Sequence, residues 1–291
     1  MRKIIIPTDF SENAFNALKY AVDLFKYEIS EIIILHAFAD EVYNTQRLPD
    51  KDALEILKQE VLKKSNASLS HIEKQLKDYS PNPRHRVKSL SAFGILVDEV
   101  NDLINSENAD IVVMGTQGET DDKNITFGTN TLQVIKHVQC PVLCIPADCK
   151  YKTPKNILFP TNYMIPYQRR ELKLIVDMAR SFRTTIHMLY VSNFPVESFR
   201  QKDNQLFLKE QFYEIRFKFH LVEETDRVEA IKTAIDEMDI DMLIMVNSHH
   251  TFLEEMLHKH TIDKIGLHPK IPFMILQNYH RDVVTGLANN Q

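Results

Sequence analysis

The chain has 291 residues, 44% of them apolar and 26% charged, the profile of a soluble globular protein long enough for two ordinary domains. A formal net charge of −5 and a pI near 6.2 speak against a general nucleic-acid binder. No run of about 18 apolar residues is present, and the N-terminus lacks the apolar region of a secretion signal, so a cytoplasmic protein without membrane attachment is expected.

Lys3-Ile4-Ile5-Ile6 predicts a first strand near 3–7. Pro7-Thr8-Asp9-Phe10-Ser11-Glu12 follows and opens a helix near 12–27. Ligands of open α/β sheets bind beyond the carboxyl ends of strands, so Asp9 is a candidate contact for a base or ribose. Asp9 could equally cap the helix, or Ser11 could do so and release it. The second strand, near 31–37, ends in His36-Ala37. A lone histidine there reads as a core or edge residue, and Ala37 as small enough to leave room for a planar base. Residues 51–79 carry Leu54, Leu57, Val61, Leu62, Leu69, Ile72 and Leu76 at helical spacing. They predict a surface helix with one face on the sheet, a lid or partner-binding helix being the alternative. A strand near 85–91 and a helix near 94–107 come next.

The strand near 110–114 leads into the most informative segment. Met114-Gly115-Thr116-Gln117-Gly118 is followed by nine residues and then by Gly128-Thr129-Asn130, where a helix near 129–138 begins. Three of the chain's 6 glycines stand in this stretch. Glycine permits φ > 0 and lets a ligand approach the amides closely. A helix N-terminus adds unpaired N–H groups and a positive dipole end. Together they predict a nucleotide-binding site. The spacer holds Glu119, Asp121 and Asp122 against Lys123. These acids would repel a triphosphate unless they face solvent or help to hold a cation. A strand near 142–146 closes this half. Cys140, Cys144 and Cys149 are odd in number and close together, unlike a disulfide framework. Cys140 and Cys144 read as core residues, with a metal or redox role as the minor alternative.

The chain then repeats itself. Lys155-Asn156-Ile157-Leu158-Phe159-Pro160-Thr161 echoes residues 3–8, and Asp241-Met242-Leu243-Ile244-Met245 echoes Asp110-Ile111-Val112-Val113-Met114. Pro272-Phe273-Met274-Ile275-Leu276 echoes Pro141-Val142-Leu143-Cys144-Ile145. Strands are expected near 156–160, 185–191, 216–222, 241–246 and 273–277, with helices between. The polar stretch from Ala147 to Pro154 reads as the linker. Strands apolar on both faces, alternating with helices, predict two α/β domains, 1–147 and 153–280, each with a five-stranded parallel sheet flanked by helices. The apolar edge strands 142–146 and 273–277 need covering and are the expected contact between the halves.

The second half lacks the glycine loop. Val246 stands opposite Gly115, His249 opposite Gly118, Lys259 opposite Gly128, His260 opposite Thr129 and Asn162 opposite Asp9. A β-branched residue avoids φ > 0, and side chains would fill space that phosphates need, so this half is not expected to bind a nucleotide in the same manner. His249, His250, His258 and His260 are of a type that suits Zn²⁺, but their spacing matches no compact site, and a solvated cluster is the preferred reading.

These landmarks resemble the universal stress proteins of the adenine-nucleotide-binding type, in a tandem arrangement. Gly115, Gly118, Gly128 and Thr129 fill that family's motif G-x2-G-x9-G-[ST]. Pro7-Thr8-Asp9-Phe10-Ser11, Leu35-His36-Ala37 and Pro141-Val142-Leu143 are similar to its other landmarks. The resemblance implies Rossmann-like (HUP-type) domains paired about a pseudo-two-fold axis, with room for two chains to pair again as a homodimer. It implies ATP or another adenine nucleotide, often with Mg²⁺, as a regulatory ligand that changes contacts with a protein partner during stress. Asp9 and the backbone near Ala37 would hold adenine. Gly115 and Gly118 would contact ribose and phosphates, and Gly128, Thr129 and Asn130 the distal phosphates. Pro7, Thr8, Met114 and Gln117 would line the same cleft. Catalysis is not expected. No P-loop, nucleophile elbow, H-E-x-x-H or C-x-x-C occurs, and no base is evident for hydrolysis. Slow ATP hydrolysis, or a ligand-free scaffold with a fossil loop, are the alternatives.

Overall fold

The structure, a computed structural model, describes residues 1–44, 51–117, 127–224, 226–247 and 270–278. In the first half, strand β1 (Arg2–Pro7), helix α1 (Glu12–Leu24) and strand β2 (Ser30–Ala37) come first. Helices α2 (Ala39–Tyr43) and α3 (Lys51–Tyr79) lead to β3 (His85–Ala92), α4 (Leu96–Glu107), β4 (Ile111–Gly115), α5 (Thr129–His137) and β5 (Val142–Ile145). The second half runs β6 (Asn156–Pro160), α6 (Arg169–Phe182), β7 (Thr185–Val191), α7 (Phe199–Gln211), β8 (Arg216–Val222), α8 (Arg227–Glu237), β9 (Met242–Asn247) and β10 (Phe273–Gln277).

The strands form where apolar runs have no polar face to offer water. β4 and β5 are buried along their whole length, and β2 along all but its last residue. Alternate residues feed two cores. Ile4 and Ile6 of β1 join one cluster with residues of α1, α3 and α6, whereas Ile5 joins the other with residues of α4, α5 and α8. Both clusters run through both halves of the chain.

The two expected five-stranded sheets are joined into one ten-stranded sheet of order β3-β2-β1-β4-β5-β10-β9-β6-β7-β8. Every neighbouring pair is parallel except β5 with β10, which run antiparallel with Phe273 opposite Cys144, Met274 opposite Leu143 and Ile275 opposite Val142. The contact is the one that the two apolar edge strands predict. The antiparallel step sets the carboxyl ends of the first half's strands opposite the amino ends of the second half's. Arg170, at the start of α6, accordingly donates to Asn108 Oδ1 at 2.8 Å, Ala109 O at 3.1 Å and Asp110 Oδ1 at 3.2 Å, just before β4. Arg2 reaches Asp177 of α6 at 3.1 Å. The connecting stretch is tethered as well: Asn16 Nδ2 donates to Cys149 O at 2.9 Å, and Tyr151 meets Tyr20 edge-on.

Helix α3 packs one face on the sheet, as expected, but over only part of its length. Its buried residues are Ser65, Leu69, Ile72 and Leu76, from its midpoint onward, while Leu54, Leu57, Val61 and Leu62 stay half-buried. Cys140 and Cys144 are buried in the core, where desolvation pushes the Cys144 thiol up.

Because β5 is shared by both halves, they should unfold together. Leu143→Ala, at a fully buried site, is expected to cost about 2–5 kcal/mol. Calorimetry should show a single transition shifted downward; two separable transitions would contradict a common sheet.

Candidate functional site

The site is assembled where β1, β2 and β4 end. After β1 the chain turns within three residues. Thr8 Oγ1 accepts from Phe10 N at 3.0 Å, and Asp9 Oδ1 accepts from Ser11 N at 3.1 Å. Ser11 Oγ accepts from Ala14 N at 3.1 Å and is the N-cap of α1, so the cap belongs to Ser11 and not to Asp9. The turn places Phe10 at φ 66°, a left-handed conformation that an aromatic residue adopts only under constraint. Its ring lies 4.4 Å from that of His36.

At the end of β4, Gly115 leaves room for the side chain of Asn13. Gly115 lies within the strand and outside the left-handed region, and Gly128 has φ −64° and ψ 163° as the N-cap of α5. The expected reliance on φ > 0 is therefore not met at either of these glycines. A Cβ on Gly115 would stand 2.6 Å from Asn13 Nδ2, which donates to Gln117 O at 2.5 Å and ties α1 to the loop. Thr131 Oγ1 donates to Gly115 O at 3.0 Å, and Gly128 N to Thr116 O at 2.8 Å. These bonds dock the first turn of α5 onto the end of β4.

A cavity of about 660 Å³ opens between these strand ends. Pro7, Thr8, Asp9, Ala37, Met114, Gly115, Gln117, Thr129 and Asn130 line it. Gly128 caps α5 but is not among the lining residues, and Gly118 lies outside the described residues. The acids of the spacer also lie outside them, as do His249, His250, His258, Lys259 and His260.

The opposite wall was not foreseen. Asp40 and Glu41 of α2, Lys64, Ser65 and Ser68 of α3, and Leu96 of α4 form it. His36 sits in that wall as more than a core residue. Its Nδ1 meets Ser65 Oγ at 2.8 Å and its Nε2 meets Glu41 Oε1 at 2.8 Å. Ser65 Oγ is in turn 2.5 Å from Ser91 Oγ, and Ser91 donates to Asn66 Oδ1 at 2.8 Å. Burial pushes the His36 imidazole below its ordinary value; the carboxylates of Glu41 and Asp9 oppose this, and Lys64 reinforces it. One signal in the sequence did point to this wall. Ser65 continues the helical stripe of Leu69, Ile72 and Leu76, a small polar residue on an apolar face.

The corresponding place in the second half is small, at about 70 Å³. Val246 stands where Gly115 does, and Ile165 and Tyr167 line the same space. Thr161, the counterpart of Thr8, has its hydroxyl bonded to that of Tyr167. The turn itself is preserved. Thr161 Oγ1 accepts from Tyr163 N at 3.0 Å, Asn162 Oδ1 from Met164 N at 2.9 Å, and Tyr163 has φ 56°.

The sequence profile described as the universal stress protein family matches residues 1–146, half of the chain. The chain belongs to the universal stress protein family. The universal stress protein MJ0577 of Methanocaldococcus jannaschii is 29% identical over 161 residues, covering 50% of this chain and 94% of that protein. Universal stress protein G of Escherichia coli O157:H7 is 27% identical over 135 residues, covering 43% of this chain and 94% of its own length. Among solved structures, a universal stress protein from Archaeoglobus fulgidus superposes over 94% of this chain and 96% of its own, with a TM-score of 0.67 at 19% identity. That likeness spans both halves and concerns the fold. Among the described residues no helix is long and apolar enough to cross a membrane.

His36, His187 and His220 are all pushed below the ordinary histidine value of 6.5, chiefly by burial. The neutral form is the native one, so the unfolded chain takes up protons first as the pH falls. Their contribution is present above about pH 6.5 and is lost progressively below it. Urea midpoints between about pH 7.5 and about 5.5 should decline through that window; a flat or rising profile would contradict the burial of these three rings.

Proposed function

We propose that the first half binds ATP or a related adenine nucleotide as a regulatory ligand, and that the protein acts as a cytoplasmic stress-response component whose contacts with a protein partner depend on that ligand. The observation that carries this reading is the cradle at Gly115. The cavity floor is a strand end without a side chain, where Asn13 packs in the place of one, and Thr129 and Asn130 of the first turn of α5 line the same cavity. Backbone amides at a helix start, approached across a glycine, suit a phosphate group. Asp9 and Ala37 line the same cavity beyond the ends of β1 and β2, where a base would lie if phosphates occupied the α5 side. Mg²⁺ would accompany the nucleotide as a countercharge.

The proposed role is binding without turnover. His36 resembles a general base held by a carboxylate, yet both of its ring nitrogens are engaged within the wall, by Ser65 and Glu41. The second half offers no comparable room and is proposed to bind no nucleotide in this manner.

Gly115→Val is the direct test. Its side chain would displace Asn13 and enter the cavity, and ATP affinity by titration calorimetry should fall by at least about tenfold. Unchanged affinity would sink the site assignment. Mass spectrometry of nucleotide released from gently purified wild-type protein should find intact ATP at one per chain; ADP formed by the purified protein from added Mg-ATP would favour an enzyme instead.

A further inference from the structure

The second half has lost its glycine loop, yet the strand ends that correspond to that loop carry buried amides turned toward the first half. Val246 pairs with Leu276 as Gly115 pairs with Ile145, and Asn247 pairs with Gln277 one step further on, where the first half has Thr116 and Pro146. Asn247 is 6% exposed and Gln277 0%. Gln277 Nε2 donates to Ile135 O at 2.9 Å, and Asn247 Nδ2 donates to the same oxygen at 3.2 Å. Asn247 Nδ2 also lies 2.9 Å from Gln277 Oε1, and Gln277 N donates to the buried Glu171 Oε1 at 3.1 Å.

Ile135 lies in the last turn of α5. Its carbonyl is one of those a helix leaves without an intrahelical donor. The N–H of Gln139, which would have closed the next turn, donates to Asn101 Oδ1 at 3.2 Å instead. The carbonyl is therefore capped in trans, by two side chains from the other half. The opposite end of α5 is held from the same side. Phe127, just before the Gly128 cap, is buried against Phe273 of β10, with ring centroids 5.8 Å apart.

We infer that Asn247 and Gln277 are positioning residues for the phosphate-binding end of α5: the second half, itself without a nucleotide site, fixes the placement of the helix whose first turn faces the ligand in the first half. An α-helix is stiff along its axis, so pinning a carbonyl in its last turn sets where its first-turn N–H groups sit. The inference rests on the nucleotide reading of the first half and adds to it a role for the degenerate half.

The effect should be confined to the phosphates. ATP and adenosine affinities are measured by calorimetry on full-length wild type, Gln277→Met and Asn247→Ala, each checked for folding by thermal melt. Gln277→Met keeps the side-chain length and removes the donor. Its ATP affinity is expected to fall about tenfold, with adenosine affinity held within about twofold. Equal losses for both ligands, or no loss for ATP, would overturn the inference, since a merely structural lesion does not distinguish them. Should Gln277→Met fail to fold, Asn247→Ala, which removes one of the two donors to Ile135 O, is expected to lose about threefold in ATP affinity with adenosine affinity unchanged, and no loss for ATP would overturn the inference. A wild-type chain that binds neither ligand would refute the nucleotide reading itself. Hydrogen exchange then decides the clamp: faster exchange of the α5 amides in the variants supports it, and unchanged protection overturns it.

Discussion

The antiparallel pairing of β5 with β10 is the contact on which the rest of the arrangement depends. Both strands are wholly buried, and either one alone would be the open edge of a five-stranded sheet. An uncovered apolar edge invites association with another chain. Pairing the two edges removes that hazard within one chain and makes the cores continuous. It also reverses the second half relative to the first. The strand ends of one half thereby meet the strand beginnings of the other, as Arg170 does at Asn108 and Asp110.

The divergence between the halves separates what the fold needs from what a ligand needs. The turn after the first strand is kept in both, with a threonine hydroxyl, an Asx side chain and an aromatic residue in the left-handed region. Asp9 and Asn162 serve that turn equally, because either side-chain oxygen accepts the N–H two residues on. Only Asp9 adds a negative charge. Gly115 and Val246 are likewise equivalent as strand residues, but one leaves space and the other takes it. Val246, Ile165 and Tyr167 line a cavity of about 70 Å³ in the second half against about 660 Å³ in the first, and the order of strands is the same in both.

The strands were legible because buried parallel strands are short apolar runs, and the repeat showed each of them twice. The end of β4 was legible because three glycines stand in one loop of a glycine-poor chain. What Gly115 makes room for was not legible. It is Asn13, about a hundred positions away in sequence, which no local pattern discloses. The same holds for the α3 wall. Ser65 and Lys64 reach the cavity only because a long helix crosses the sheet near the end of β2. Asn247 and Gln277 look in the sequence like polar residues closing two strands, and only the antiparallel seam turns them into buried donors.

That buried polar seam also bears on how the pairing finds its register. The residues facing one another across β5 and β10 are Cys144 with Phe273, Leu143 with Met274 and Val142 with Ile275. Apolar pairs of this kind discriminate weakly against a slip of two residues, since each side chain would keep its face. The amides do not tolerate such a slip. Moving β10 along β5 would carry Gln277 away from Ile135 O and leave a buried donor and a buried acceptor unpaired, each of which costs about 1–3 kcal/mol. The three polar side chains Glu171, Asn247 and Gln277 thus act as a lock on an otherwise uniform apolar contact. They place amides in an otherwise apolar seam where the last turn of α5 needs a cap.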